Sequence, residues 1–228
     1  MRRFVLISLL LVAVGAKAHT IAILGTGDVG STLGRRWAEA GHEIVYGSRH
    51  PGSARVLELV SVTGPNTQAM TPAKAAAAGD VVVLAVPYHA IAALLPTLGD
   101  MQRKVVIDCT NPLTTDLDGL TLGVTTSAAE TIASLLPGAR VVKALNTTGV
   151  ANMKDSTYQD GPLTMLIAGE SAMAKKLVSG LVEELGFEVV DAGPLASARW
   201  LEPMAMLWIE LAYRQGMGSD IGFKLIRR

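Results

Sequence analysis

Gly25, Gly27 and Gly30 stand in the order G-x-G-x-x-G inside the stretch TIAILGTGDVG, residues 20–30. Glycines at this spacing suit a main chain that must approach a pyrophosphate. The first permits a tight turn, the second lets the backbone come close to the phosphates, and the third lets the next helix pack on the preceding strand. That helix would then turn its free N–H groups and positive dipole end toward the anion. The motif alone does not separate a nucleotide cradle from a glycine-rich turn; its surroundings do. Roughly 20 residues on, an NAD-binding domain carries Asp or Glu for the ribose 2′-hydroxyl. Here the chain reads Gly47-Ser48-Arg49-His50, without an acid. A hydroxyl followed by a guanidinium suits a 2′-phosphate, through a short hydrogen bond and a charge-assisted fork. Each such contact is worth about 1.5–3 kcal/mol, or about 10- to 100-fold in preference for NADP over NAD. Arg55, early in the next helix, adds charge. The plainer reading is a solvated polar turn, and the glycine motif at this spacing weighs against it.

The elements that must position these residues follow from apolar patterning. The run 21–24 is apolar without alternation, as in a parallel strand covered on both faces. A helix over 31–40 carries Leu33 and Trp37 on one face, and strands are expected at 43–46 and, weakly, 67–70. Helices follow at 54–62 and 72–79, the latter with Pro at its start, a favoured place. The strongest strand signal is 80–86, closed by Pro87; further strands read at 104–108 and 140–145, with helices at 91–98 and 127–136. Ser127 is a plausible cap for the last of these. Ligands of open α/β sheets lie beyond the carboxyl ends of strands at the switch point. Val86-Pro87, Asn111 and Asn146-Thr147 all sit at such ends. His89 reads as a helix-start side chain in solvent, and Cys109 as a buried, inert thiol. The remainder reads as strand 163–168, helix 172–185, strand 187–190 and a long helix over about 197–213. On that helix Trp200, Leu201, Met204, Leu207, Trp208 and Leu211 repeat as one broad face. The fold class is therefore α/β, a doubly wound parallel sheet (Rossmann), with a small C-terminal strand–helix extension ending in a long helix.

Composition excludes several classes. Lys and Arg total 20 and Asp and Glu total 20, so no basic excess points to nucleic acid, and aromatics make up only 4%. One cysteine in 228 residues rules out an internal disulfide and a multi-cysteine metal site. The N-terminus looks like an address and not like fold: Met1-Arg2-Arg3, an apolar stretch over 4–15, then the small-x-small Ala16-Lys17-Ala18. The apolar stretch is too short to span a bilayer. Residues 1–18 thus read as a cleaved export signal, which places the protein in the periplasm or outside the cell and leaves no stable membrane span. Arg2-Arg3 loosely suggests a twin-arginine route, which carries folded, cofactor-loaded protein. The alternative is translation starting near Thr20, and then a cytoplasmic protein. Residues 19–148 form the NADP-binding domain and 149–228 a C-terminal portion completing the substrate cleft or a dimer surface.

Taken together, GTGDVGSTLGRRWAEAGHEIVYGSRHP, DVVVLAVP, VVIDCTNPL, VVKALNTT and DAGPLASARWLEPMAMLWIELAYRQGMG resemble the NADP-dependent oxidoreductases typified by coenzyme F420-dependent NADP reductase. The resemblance implies NADPH held by Thr26, Gly27, Asp28 and Val29, with Ser48 and Arg49 on the 2′-phosphate. It implies a nicotinamide near Val86-Pro87 and Asn111, with Asn146 and Thr147 close by, a flavin-like or deazaflavin (F420-type) acceptor, and a homodimer. Hydride transfer of that kind needs orientation more than acid–base groups. A reductase of small imine or keto substrates is a second reading; it requires a positioned proton donor, for which Lys143 lies in the right region. A ferric reductase of the kind fused to a haem membrane domain is a more distant relation. A non-catalytic module sensing NADP redox state is the non-enzyme alternative.

Overall fold

A computed structural model describes residues 17–228; the segment 1–16, with most of the expected signal, lies outside the described residues. The chain runs β1 (Thr20–Leu24), α1 (Asp28–Glu39), β2 (Glu43–Gly47), α2 (Ala54–Thr63), β3 (Thr67–Met70), α3 (Pro72–Ala78), β4 (Val81–Leu84), α4 (Ile91–Leu94), β5 (Val105–Asp108), α5 (Ala128–Leu135) and β6 (Arg140–Lys143). It continues through α6 (Val150–Lys154), a hairpin of β7 (Thr157–Tyr158) and β8 (Gly161–Pro162), β9 (Thr164–Gly169), α7 (Ala172–Glu183), β10 (Glu188–Asp191) and α8 (Ala198–Ile209). Sequence patterning missed α6 and the hairpin, which are too short to carry a period.

Eight strands form one sheet in the order β10-β9-β6-β5-β4-β1-β2-β3, reversing direction of growth between β1 and β4. The unbroken apolar runs are explained by two cores. Ile21, Ile23, Val81, Val83 and Ile107 point into one, with Trp37 of α1 and Leu181 of α7. Ala22, Leu24, Val82, Leu84 and Val106 point into the other, with Ala75 of α3 and Ile132 of α5. Because successive strand residues face opposite sides, a strand buried on both must be apolar at every position. The Trp37 indole also donates to the Leu181 carbonyl at 2.8 Å, tying α1 to α7.

The sheet departs from the all-parallel expectation at one seam. β9 is antiparallel to β6, with Lys143 opposite Ala168 and Val142 opposite Gly169. The connection from β6 passes through the short α6 and the hairpin and no long crossover helix. The chain therefore re-enters the sheet from the end at which β6 left it, and an antiparallel partner results. α7 then supplies an ordinary crossover, and β10 lies parallel to β9. The C-terminal portion thus extends the same sheet.

The face of α8 also differs from the expected one. Ala198, Leu201, Glu202, Ala205 and Trp208 are its buried residues, whereas Trp200 is 66% and Leu207 50% exposed. The helix rotates so that the Glu202 carboxylate points inward and the Trp200 indole outward, and the chain continues into a π-helical turn at Glu210–Arg214. Among the described residues no helix is long and apolar enough to cross a membrane.

Candidate functional site

The expected site residues leave five neighbouring strands at one edge of the sheet. Gly25, Thr26 and Gly27 follow β1, with Asp28, Val29 and Gly30 opening α1; Ser48 and Arg49 follow β2; Val86 and Pro87 follow β4; Asn111 follows β5; Asn146 and Thr147 follow β6. At about 4.8 Å per strand, the crevice between the β2 and β6 ends runs roughly 19 Å.

Its centre is built by the glycines. Gly25 has φ +125°, and a Cβ there would lie 2.2 Å from the Ala85 carbonyl oxygen at the end of β4. A Cβ on Gly30 would meet the Gly25 carbonyl oxygen at 2.1 Å, so helix and turn pack backbone to backbone. Gly27 is the opposite case: nothing lies within 4 Å of its missing side chain. It is the N-cap of α1, with no side-chain cap on the helix, so the first N–H groups face open space. Two glycines required for closure and one bordering a gap are what a pyrophosphate cradle demands, and these residues fit NADP.

At the β2 end the glycine turn and the Ser48 turn are joined, since the Gly25 N–H donates to the Gly47 carbonyl at 3.3 Å. Ser48 is half-buried and Arg49 exposed. The Ser48 hydroxyl accepts from the His50 N–H at 3.2 Å, leaving its own hydrogen free to donate. Arg55 reaches back from α2 to Thr26, at 2.8 Å to the hydroxyl and 3.1 Å to the carbonyl oxygen.

The β5 and β6 ends form a tight polar unit. Asn111 donates to the Asn146 carbonyl at 3.0 Å, while the Asn146 Nδ2 donates to Asn111 Oδ1 and to the Leu201 carbonyl, both at 3.0 Å. Leu145, just before, adopts φ +61°, a region a non-glycine residue enters at a cost and that clusters at functional sites. Two buried acceptors of this unit, Thr110 Oγ1 and Asn146 Oδ1, have no partner; in native interiors such atoms are rare. His89 lies exposed in a short 3-10 turn after β4, as expected of a solvated side chain. Burial, then the Asp108 charge, pushes the half-buried Cys109 thiol well above its ordinary range.

Lys143 is not available as a proton donor. Its ammonium is fully buried between Asp108 Oδ2 and Glu202 Oε1, each at 2.9 Å, and it also donates to the Thr110 carbonyl. Burial pulls its pKa down, but the two carboxylates outweigh this and hold it above the ordinary lysine value. Lys143 therefore remains a cation at neutral pH. Glu202 in turn accepts from Ala128 N–H at 2.9 Å and Ala129 N–H at 3.2 Å, at the start of α5. Sequence reasoning missed Glu202; the available signal was an acid at a core position of an apolar helix face. A cavity of about 370 Å³ lies elsewhere, between Lys17, His19 and α7, and shares no residue with the crevice.

Fold and cradle define a Rossmann-type dinucleotide-binding protein. Residues 20–112 match the family model described as NADP oxidoreductase coenzyme F420-dependent. The F420-dependent NADP reductase of Methanothermobacter marburgensis is 35% identical over 207 residues, 84% of this chain and 91% of that one. A crystal structure of a candidate F420-dependent NADP reductase from Arthrobacter sp. FB24 superposes with TM-score 0.84 at 30% identity, covering 92% of this chain and all of that one. The metalloreductase STEAP3 of Rattus norvegicus is 31% identical over 198 residues, but the chain spans only 38% of its length. The chain belongs to this family and is an NADP-dependent oxidoreductase.

Removing the Glu202 carboxylate leaves the Lys143–Asp108 pair but takes one acceptor from the buried ammonium and the acceptors of two N–H groups of α5, and each buried donor left unpaired costs about 1–3 kcal/mol. Glu202→Ala is therefore expected to lower the urea unfolding free energy by about 3 kcal/mol or more, with Glu202→Gln milder because its amide oxygen still accepts from α5. A midpoint unchanged in both variants would show that the bonds from Glu202 to Lys143 and α5 do not hold the fold.

Proposed function

We propose that this protein transfers hydride between NADPH and a flavin-like or deazaflavin acceptor of the F420 type. The observation that carries the reading is the sequestration of Lys143. An imine or keto reductase must place a proton donor beside the nicotinamide, and the lysine at hand is locked between two carboxylates. Neutral amides line that end of the crevice instead. Hydride exchange between two planar heterocycles demands orientation and exclusion of water, which a rigid pair such as Asn111 and Asn146 supplies.

When bound, NADPH supplies one hydride, and solvent supplies the proton that completes reduction of the acceptor. The backbone at Thr26, Gly27, Asp28, Val29 and Gly30 holds the pyrophosphate, and Ser48 and Arg49 the 2′-phosphate. Val86, Pro87, Asn111, Asn146 and Thr147 wall the nicotinamide. The match to an F420-dependent NADP reductase over 91% of its length supports the deazaflavin. Anaerobic mixing of the protein and NADPH with coenzyme F420, with FMN and with pyrroline carboxylate tests this. Nicotinamide oxidation with F420 or FMN is the expected result; turnover with pyrroline carboxylate alone would overturn it.

Arg49→Asp is expected to weaken NADPH about 10- to 100-fold and NADH far less, read by nicotinamide fluorescence. Equal losses for both would sink the phosphate role of this turn. Assembly as a homodimer belongs to the same proposal: Trp200 and Leu207, 66% and 50% exposed, stand two turns apart on one side of α8. Light scattering that gives the mass of one chain would remove this element. Export through residues 1–18 is likewise proposed, and an intact Met1 on cytoplasmic protein would contradict it.

A further inference from the structure

We propose that the buried cluster of Asp108, Lys143 and Glu202 sets the redox preference of the bound cofactor, its excess negative charge holding the cationic, oxidised nicotinamide more tightly than the neutral, reduced one. This assignment rests on the placement of the nicotinamide against Asn111 and Asn146. It gives a role to three fully buried side chains that hydride transfer itself leaves without one. The charge follows from the bonds. Lys143 donates to Asp108 Oδ2 and Glu202 Oε1, each at 2.9 Å. Asp108 Oδ1 accepts from the Thr110 N–H at 2.8 Å, and Glu202 accepts from the Ala128 and Ala129 N–H groups at 2.9 and 3.2 Å. Each of these partners is a donor, so a hydrogen on either carboxyl would point at another hydrogen. Both groups are therefore carboxylates, and the cluster holds two negative charges against one positive. The dipole at the start of α5 offsets about half a charge of the excess and does not cancel it. Glu130 and Arg199, on the same two helices as these contacts, bond each other at 2.9 and 2.7 Å and add no net charge.

The excess charge lies directly behind the amide pair. Asn111 is three residues beyond Asp108 and Asn146 three beyond Lys143, a stretch of chain that spans at most about 11 Å. The Asn146 Nδ2 also donates, at 3.0 Å, to the carbonyl of Leu201, the residue before Glu202. None of the three ionic side chains reaches solvent, so salt screens the cluster little. Loss of hydride to the acceptor turns a neutral dihydropyridine ring into a pyridinium cation. A buried anion at that end of the crevice therefore favours the ring after transfer over the ring before it. A unit charge about 10–15 Å away, at an effective dielectric of about 20, is worth roughly 6- to 15-fold in such an equilibrium. With the α5 dipole opposing it, about 3- to 10-fold remains. Asp108 and Glu202 are thus residues that act on the cofactor's potential through space, while the amide pair orients the ring.

The test is a set of titrations on the full chain with NADP⁺, NADPH and 2′,5′-ADP, using wild type, Glu202→Gln, Asp108→Asn and Asn146→Ala. Thermal unfolding followed by circular dichroism identifies any variant that does not fold. Glu202→Gln and Asp108→Asn each remove one negative charge, from different elements, and keep the shape of the side chain. Each is expected to weaken NADP⁺ relative to NADPH about 3- to 10-fold and to leave 2′,5′-ADP, which has no nicotinamide, unchanged. The uncharged triple variant Asp108→Asn, Lys143→Met, Glu202→Gln removes the same excess without leaving an unpaired ion and is expected to give the same ratio. A merely loosened fold would weaken both forms of the cofactor alike. Equal losses, an unchanged ratio or a ratio moved toward NADP⁺ would each overturn the inference. Asn146→Ala, which keeps the charges, is expected to weaken NADP⁺ and NADPH together and to spare 2′,5′-ADP. If it does so and the charge variants leave the ratio alone, only the inference falls. If Asn146→Ala spares all three ligands or weakens all three alike, the placement of the nicotinamide falls with it.

Discussion

A lysine ammonium offers three hydrogens, and in the interior of this protein all three are taken. Asp108, Glu202 and the Thr110 carbonyl surround the Lys143 nitrogen, and none of the three ionic side chains is exposed. Burying an ion costs several kcal/mol unless its partners are complete. Here completion extends one layer further. The second Asp108 oxygen accepts from the Thr110 N–H at 2.8 Å. The Glu202 carboxylate reaches two N–H groups at the start of α5. One cation against two carboxylates leaves an excess negative charge, and that excess rests on the end of a helix where the dipole favours it. Four elements, β5, β6, α5 and α8, are fixed relative to one another by this single nitrogen.

The amide pair depends on that clamp. Asn111 leaves β5 just after Thr110, whose N–H and carbonyl are both held by the cluster. Asn146 leaves β6 three residues after Lys143 and bonds the carbonyl of Leu201, the residue before Glu202. The left-handed backbone at Leu145 persists because both of its flanks are fixed; strain of this kind survives only where the surroundings over-determine it. The opposite end of the crevice is built differently. Ser48 is half-buried and Arg49 and Arg55 are exposed, with no ionic partner for either arginine among the described residues. One end is a packed frame whose charges are all hydrogen-bonded, and the other a set of free charges.

This contrast decides what could be read from the chain. The glycine spacing and the strand ends are local, and each signals its place at the sheet edge within a few residues. Strand runs such as 81–84, apolar on both faces, were likewise legible. The clamp was not, because Asp108, Lys143 and Glu202 lie 35 and 59 residues apart in sequence and each alone looks like an oddity. A lysine after a valine strand reads as a candidate proton donor, and an acid on an apolar helix names no partner. Only their coincidence makes sense of both. The same acid explains the misread face of α8. Counting apolar residues selects Trp200 and Leu207, whereas the ion pair rotates Glu202 inward and takes Leu201 and Ala205 with it. The antiparallel seam was hidden for another reason: direction follows from what α6 and the hairpin do with the chain, and those are too short to announce themselves.

The division between frame and free charges also separates two properties of the enzyme. Recognition of a phosphate by exposed guanidiniums is electrostatic in water, so it weakens as salt screens it. The frame at the other end presents carboxamides and a threonine hydroxyl, none of which titrates near neutrality, and its one lysine is held charged by partners that bury it. The exposed arginines are groups that substitution and salt can reach singly, while the Lys143 cluster fails as a unit. α8 joins the clamp through Glu202 and touches the amide pair through Leu201, so the C-terminal portion is tied to the β5 and β6 ends even though no glycine motif marks it.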